Sequence, residues 1–190
     1  VCDGDTFIDI GAHVGLAAIA FATKFPKSRV LAFEPIPETF EDLVWNIQAN
    51  NLSHIISAYR EAIVTKDHYL KHAGASLSLR YVPYATAGSL VESRADAWWW
   101  HDHLETVTAP TMSLHRIIAL FEIERIRLLK LDCEGCEFDV VASLLQSPTT
   151  LGQIAMVRGE IHDAHTSSEL ALHTLQTLFS TPSTPWHCSR

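Results

Sequence analysis

The chain is short of basic residues, of long apolar runs and of cysteine, and each shortage excludes something. Fourteen Lys and Arg stand against 22 Asp and Glu, a formal net charge of -8. Nucleic acid and anionic membrane surfaces are met by a basic face, so neither is an expected partner. No apolar run approaches the roughly 20 residues that span a bilayer. No secretory signal pattern is visible, so the default expectation is the cytoplasm. The chain begins at Val1, on the lip of the first predicted strand, and stops at Arg190 without a closing element. That predicts a piece of a longer protein, with an upstream targeting segment left open. The four cysteines, at positions 2, 133, 136 and 188, are too few for a disulfide scaffold. Cys133-Glu134-Gly135-Cys136 is a C-x-x-C, the spacing of a redox pair or half a zinc site. No second C-x-x-C accompanies it, and its inner glutamate and glycine have another explanation below, so neither chemistry is the leading expectation. Internal repeats and low-complexity tracts are also missing.

What is present suits one soluble domain over residues 1–190, with 47% hydrophobic and 19% charged residues to build a core. The apolar run 6–10 reads as a strand and 15–24 as a helix that Pro26 ends. A strand over 29–33 follows, then a helix from Pro37 or Glu38 to about Asn50, with Phe40, Leu43, Val44 and Ile47 on one face. A third strand lies near 55–59. This alternation predicts an α/β fold of Rossmann-like type, a mostly parallel sheet with helices on both faces. Residues 66–109 break the rhythm and read as an insertion. It holds an antiparallel hairpin near 74–82, the run Trp98-Trp99-Trp100 flanked by His101 and His103, and an edge strand over 106–111. A helix capped by Ser113 follows. The rhythm then returns with a strand over 126–131, a helix over 136–146, a strand over 154–161 and a helix over 167–179.

Ligands of open parallel sheets bind beyond the carboxyl ends of the strands, and five predicted ends carry a carboxylate: Asp9, Glu34, Glu61, Asp132 and Glu160. The first turn is Gly11-Ala12-His13-Val14-Gly15. Such a turn brings backbone N–H groups and a helix N-terminus up to a ligand. Dinucleotide sites need a middle glycine for the pyrophosphate; here it is missing, and His13 would crowd phosphates. Asp9 would attract a cationic group, and Glu34 would accept hydrogen bonds from two ribose hydroxyls. Together these describe S-adenosylmethionine, which carries an amino acid, a ribose, an adenine and a sulfonium but no phosphate.

The blocks Phe7-Ile8-Asp9-Ile10-Gly11-Ala12-His13-Val14-Gly15, Ala32-Phe33-Glu34-Pro35, Asn46 with Asn50, and Leu129-Lys130-Leu131-Asp132-Cys133-Glu134-Gly135-Cys136-Glu137 resemble the FkbM-type methyltransferases. The likeness covers residues 6–162, and its most specific part is the Lys-x-Asp-x-Glu-Gly-x-Glu block. It implies a class I methyltransferase fold and S-adenosylmethionine-dependent methyl transfer to a hydroxyl of a sugar or other small-molecule acceptor. The chain departs from the pattern at His13, where asparagine is usual, and near Ser113, where an aspartate is common.

On this reading the cofactor residues are Asp9, Gly11, Ala12, His13, Gly15, Glu34, Pro35, Glu61 and Ala62, with Glu61 and Ala62 placed at the adenine. The catalytic candidates are Asp132, Lys130, Glu160 and His162. Lys130 shares a strand face with Asp132 and is either its buried partner or an aid to deprotonating the acceptor. Glu134 faces the acceptor, while Glu137 reads as a helix-start acid. No metal is the main expectation; a set of Asp132, Glu160, His162 and His165 around a divalent ion is the alternative. Two rival functions stand beside this one. A nicotinamide-dependent oxidoreductase lacks its middle glycine. A degenerate methyltransferase-fold domain acting as a binding module is the other alternative.

Overall fold

The computed structural model describes residues 4–72, 75–82, 90–91, 105–160 and 173. In chain order the elements are β1 (Thr6–Ile10), α1 (Leu16–Lys24), β2 (Arg29–Phe33), α2 (Pro37–Ala49), β3 (Ile56–Tyr59), β4 (Ala62–Val64), α3 (Lys66–Lys71) and β5 (Ser76–Tyr81). β6 (Leu90–Val91), β7 (Glu105–Ser113), α4 (Leu114–Leu120), β8 (Ile126–Leu131), α5 (Cys136–Leu145), α6 (Pro148–Gly152) and β9 (Val157–Gly159) follow. The fold is α/β. Its main sheet has the order β3-β2-β1-β8-β9, with every neighbouring pair parallel.

Parallel strands covered on both faces must be apolar on both, and β1 and β2 are almost wholly buried. Alternate residues serve opposite layers. Phe7, Val30, Ala32 and Ile56 pack against Ala18 and Ala22 of α1 and Leu43 and Ile47 of α2. Ile8, Ile10, Leu31, Phe33, Leu129 and Leu131 pack against Leu114 and Ile117 of α4 and Phe138, Val141 and Leu144 of α5. Pro37 opens α2 where its missing N–H costs nothing, and Glu38 answers the helix dipole. Ser113 caps α4, its hydroxyl accepting the Arg116 N–H at 3.3 Å.

The second sheet has the order β4-β7-β5-β6. The span expected to hold a hairpin, near 74–82, carries the single strand β5, whose antiparallel partners β6 and β7 come later in the chain. The expected edge strand is a correction: β7 is longer and lies inside, between β4 and β5. Its pairing with β4 is parallel, through Ile63 and Met112, a long-range contact that local alternation cannot reveal. Leu79, Tyr81 and Ala109 of this sheet pack on Ile36 and Ala62, which seats it against the carboxyl end of the main sheet. The last strand is also shorter than expected, Val157–Gly159, because Ile154 makes only an isolated bridge to Ile126 and continuous pairing with β8 begins at Val157. Trp98, Trp99, Trp100, His101, His103, His162, His165 and the helix predicted over 167–179 lie outside the described residues. Among the described residues no helix is long and apolar enough to cross a membrane.

Candidate active site

Strand order runs outward from β1 to β3, then restarts with β8 on the other side of β1. The turns after β1 and β8 therefore diverge and open a crevice between them. They touch at its floor. The Asp132 N–H donates to the Ile10 carbonyl at 3.1 Å. Gly11 has φ +76°, and a Cβ there would run into the Asp132 backbone carbonyl. Glycine is required by the approach of the second turn as much as by any ligand.

Four N–H groups of the first turn are engaged within the fold. The Gly11 and Ala12 N–H groups donate to the Phe33 carbonyl at 3.1 and 2.9 Å, and the Gly15 N–H donates to the Ala12 carbonyl at 2.8 Å. The His13 N–H donates to Glu34 Oε2 at 3.0 Å, and His13 itself sits at φ 51°. Asn46 Nδ2 donates to the Val14 carbonyl at 2.9 Å. The end of β2 thus takes the Gly11, Ala12 and His13 N–H groups of the turn.

The second turn is held by Glu137. This carboxylate is fully buried and accepts the Cys133 N–H at 2.8 Å and the Gly135 N–H at 2.7 Å. Sequence reading assigned Glu137 only to the helix dipole. The available signal was the habit of a first-turn glutamate reaching back to the N-cap N–H. Cys133 and Cys136 are joined as a disulfide across the same turn, their Cα atoms 5.5 Å apart.

Between the turns stands Lys130. Its Nζ is 3.1 Å from Asp9 Oδ1 and 3.3 Å from Asp132 Oδ2, and donates to the Gly11 carbonyl at 2.8 Å. Asp9 and Lys130 are register partners on β1 and β8, so strand alternation places Asp9, Lys130 and Asp132 on one side. Asp9 is fully buried, and burial pushes its carboxyl up to about 6 against the opposing pull of Lys130. Glu34 is also buried, and burial raises it to about 7 although the Ile36 and His13 N–H groups hold its oxygens. The Asp132 side chain is 38% exposed and so open to the crevice.

Above the turns lies an open cleft with about 400 Å³ of free space, part of it continuous with solvent. Ile10, Phe33, Ile63, Leu77 and Leu79 make its apolar walls, and Gly11, Pro35, Ala62, Cys133 and Cys136 complete them. Its one carboxylate is Glu61, whose Oε2 is buried and finds no hydrogen-bond partner among the described residues. Burial raises the Glu61 pKa.

Of the expected cofactor residues, Gly11, Pro35, Glu61 and Ala62 line this cleft. Glu34 is buried next to the lining residue Pro35, its oxygens accepting the His13 and Ile36 N–H groups. Asp9 faces Lys130 rather than the cleft, and Ala12 is in the core on the α1 side. His13 and Gly15 belong to the turn outside the lining; a Cβ at Gly15 would come 2.6 Å from Leu43 Cδ1, so its smallness serves helix packing. Asp132 and Lys130 are together at the crevice, whereas Glu160 is exposed beyond β9 with its N–H on the Leu131 carbonyl at 3.0 Å. His162 lies outside the described residues. Among the described residues no three His, Cys, Asp or Glu side chains gather as a metal set. Leu77 and Leu79 were missed as cleft residues, because only the packing of the second sheet brings them over the first.

Known proteins resemble this chain at low identity. It is 26% identical over 155 residues to Methyltransferase 1 of Beauveria bassiana, covering 75% of this chain and 59% of that protein. It is 24% identical over 157 residues to Methyltransferase sdnD of Sordaria araneosa, covering 70% and 58%. The chain thus spans under two thirds of the curated relatives it matches. The crystal structure of a methyltransferase FkbM from Methylobacillus flagellatus aligns with 93% of this chain and 38% of that one, at 14% identity and a TM-score of 0.48. The family model described as the methyltransferase FkbM domain matches residues 9–181, most of the chain and every residue of the crevice. The chain belongs to the FkbM methyltransferase family.

Proposed function

We propose that this domain binds S-adenosylmethionine in the cleft at the switch point and transfers its methyl group to a hydroxyl of a small-molecule acceptor, a sugar or a similar polyol. The observation that carries the reading is an apolar cleft with one buried carboxylate oxygen that has no partner among the described residues, beside a turn whose Gly11, Ala12, His13 and Gly15 N–H groups are already engaged. Apolar walls and a lone acceptor suit a purine ring with an exocyclic amine. The engaged turn suits a ligand without phosphate and counts against a nicotinamide dinucleotide.

In this reading Glu61 accepts from the amine, the walls from Ile10 to Leu79 enclose the ring, and Glu34 uses its remaining lone pairs for ribose hydroxyls. The cofactor supplies a methyl made electrophilic by its sulfonium. The protein's own share is positioning and one proton. Asp132, partly exposed at the crevice, takes the acceptor proton. Lys130 holds Asp132 and the Gly11 turn in fixed relation, so it acts as a positioning residue rather than as the base. The β5 wall keeps water from the cleft.

Thermal unfolding with S-adenosylmethionine, S-adenosylhomocysteine or NAD tests the reading. A ligand at about 100 times its dissociation constant stabilises by roughly 2.7 kcal/mol, which raises the midpoint by about 5–10 °C in a domain of this size. The expected result is a rise with both sulfur compounds and none with NAD. No rise from a cooperatively unfolding sample would establish the degenerate-domain alternative instead. With binding in hand, release of S-adenosylhomocysteine across a panel of polyhydroxylated acceptors identifies the acceptor class.

A further inference from the structure

Among the described residues, the C-x-x-C of the second turn is a motif that methyl transfer leaves without a role. We propose that Cys133 and Cys136 form a reversible thiol–disulfide site in the cleft wall, whose reductant is a dithiol, and whose oxidation state sets the affinity of the cleft for its ligand. The effect on ligand affinity rests on the reading of the cleft as the S-adenosyl site; the redox site itself does not.

Three observations carry it. Both cysteines line the cleft, on the turn that follows Asp132 in sequence. They are joined as a disulfide with no other cysteine near them in sequence. The backbone of the turn is held independently, by the two N–H bonds to buried Glu137. A crosslink closing so short a loop constrains the unfolded chain little, so its loss leaves the fold standing. What changes is local. Two bonded sulfurs become two thiols at van der Waals separation, roughly 3.5–4 Å, and the added bulk goes into the cleft or widens the turn beside Asp132.

The step balances as ordinary exchange. A thiolate of the external dithiol attacks one sulfur, the Cys133–Cys136 bond breaks, and the mixed disulfide is resolved by the reductant's second thiol. Two electrons and two protons pass to Cys133 and Cys136, and the reductant leaves as a disulfide.

The test uses the full chain in a C2S/C188S background, equilibrated with oxidised or reduced glutathione or dithiothreitol, then alkylated and weighed. Cys133 and Cys136 are expected to convert together, in one two-electron step. Free thiols under oxidising conditions would overturn the proposal. S-adenosylhomocysteine binding is then measured in both states, with an expected weakening on reduction of about fivefold or more, the lower end of ordinary coupling between sites. By reciprocity the ligand makes the disulfide harder to reduce by the same factor. C133S/C136S is expected to bind like the reduced protein and to ignore the redox buffer. Equal affinity in both states would reduce the disulfide to a staple and sink the proposal. Absence of binding in both states refutes the cofactor reading instead. In that case amide hydrogen exchange over residues 129–137 of the ligand-free protein decides the redox site: faster exchange on reduction supports it, and identical rates overturn it.

Discussion

Lys130 carries more of the site than any other side chain, because one ammonium answers two carboxylates and a carbonyl across two strands. Removing one partner of a buried ion pair costs about 3 kcal/mol or more, unless the stranded group changes its protonation. Lys130→Met is therefore expected to lower the urea midpoint clearly at pH 7 and less at pH 5, where stranded Asp9 is protonated. The double variant D9N/K130M should recover part of the loss, as coupled neighbours do. A deficit that is the same at both pH values would mean Lys130 acts through packing alone. Asp132 gives a separate prediction. Asp132→Asn should keep cofactor affinity and lower methyl transfer by about 10²-fold or more, the usual share of a general base. Full turnover in that protein removes Asp132 from the role.

At the scale of the element, the turn from β8 into α5 is the piece to perturb. Glu137→Gln replaces a carboxylate that accepts two N–H groups with an amide that accepts one and points donors at the other. Leaving a buried donor unsatisfied costs about 1–3 kcal/mol. The expected outcome is a lower thermal midpoint and faster amide exchange at Cys133 and Gly135, with far-ultraviolet circular dichroism unchanged. An unaltered exchange rate at those two amides would show that the α5 N-terminus holds the turn without Glu137. The elements also show which parts of the fold were legible beforehand. β1, β2 and β8 match their expected bounds because buried parallel strands are short unbroken apolar runs. β7 was taken for an edge strand because its parallel partner β4 is more than 40 residues away in sequence. Half of the site shares that difficulty: His13 meets Glu34 across 21 residues and Lys130 meets Gly11 across 119.

For the whole molecule, two buried acids set opposing pH trends. Asp9 and Glu34 rise from ordinary values of 3.8 and 4.5 to about 6 and about 7. The folded state therefore binds more protons than the unfolded one between about pH 4 and 7. Their contribution to stability is fully present below about pH 4 and is lost as pH rises through 6 and 7. Ligand affinity should move the other way, since Glu34 accepts ribose hydroxyls best when ionised, so binding tightens as pH rises through about 7. Urea unfolding and S-adenosylhomocysteine titration across pH 5–8 check both slopes. D9N should flatten the stability profile and leave the binding profile in place, and a binding profile that tightens toward low pH would contradict the role given to Glu34.

The order of apolar runs and turns determined the fold class by itself, because a parallel sheet buried on both faces leaves an unbroken apolar signature. The FkbM resemblance came from the same source, since the spacing of Gly11, Glu34 and the Lys130 to Glu137 block is a property of the chain alone. Tertiary structure decided what those residues touch. Packing of β1 against β8 turned Asp9, Lys130 and Asp132 into one charge network, and the end of β2 took the Gly11, Ala12 and His13 N–H groups of the first turn. The second sheet supplied Leu77 and Leu79 to the cleft. Each of these depends on contacts between residues far apart in sequence, where local pattern carries no information about distance.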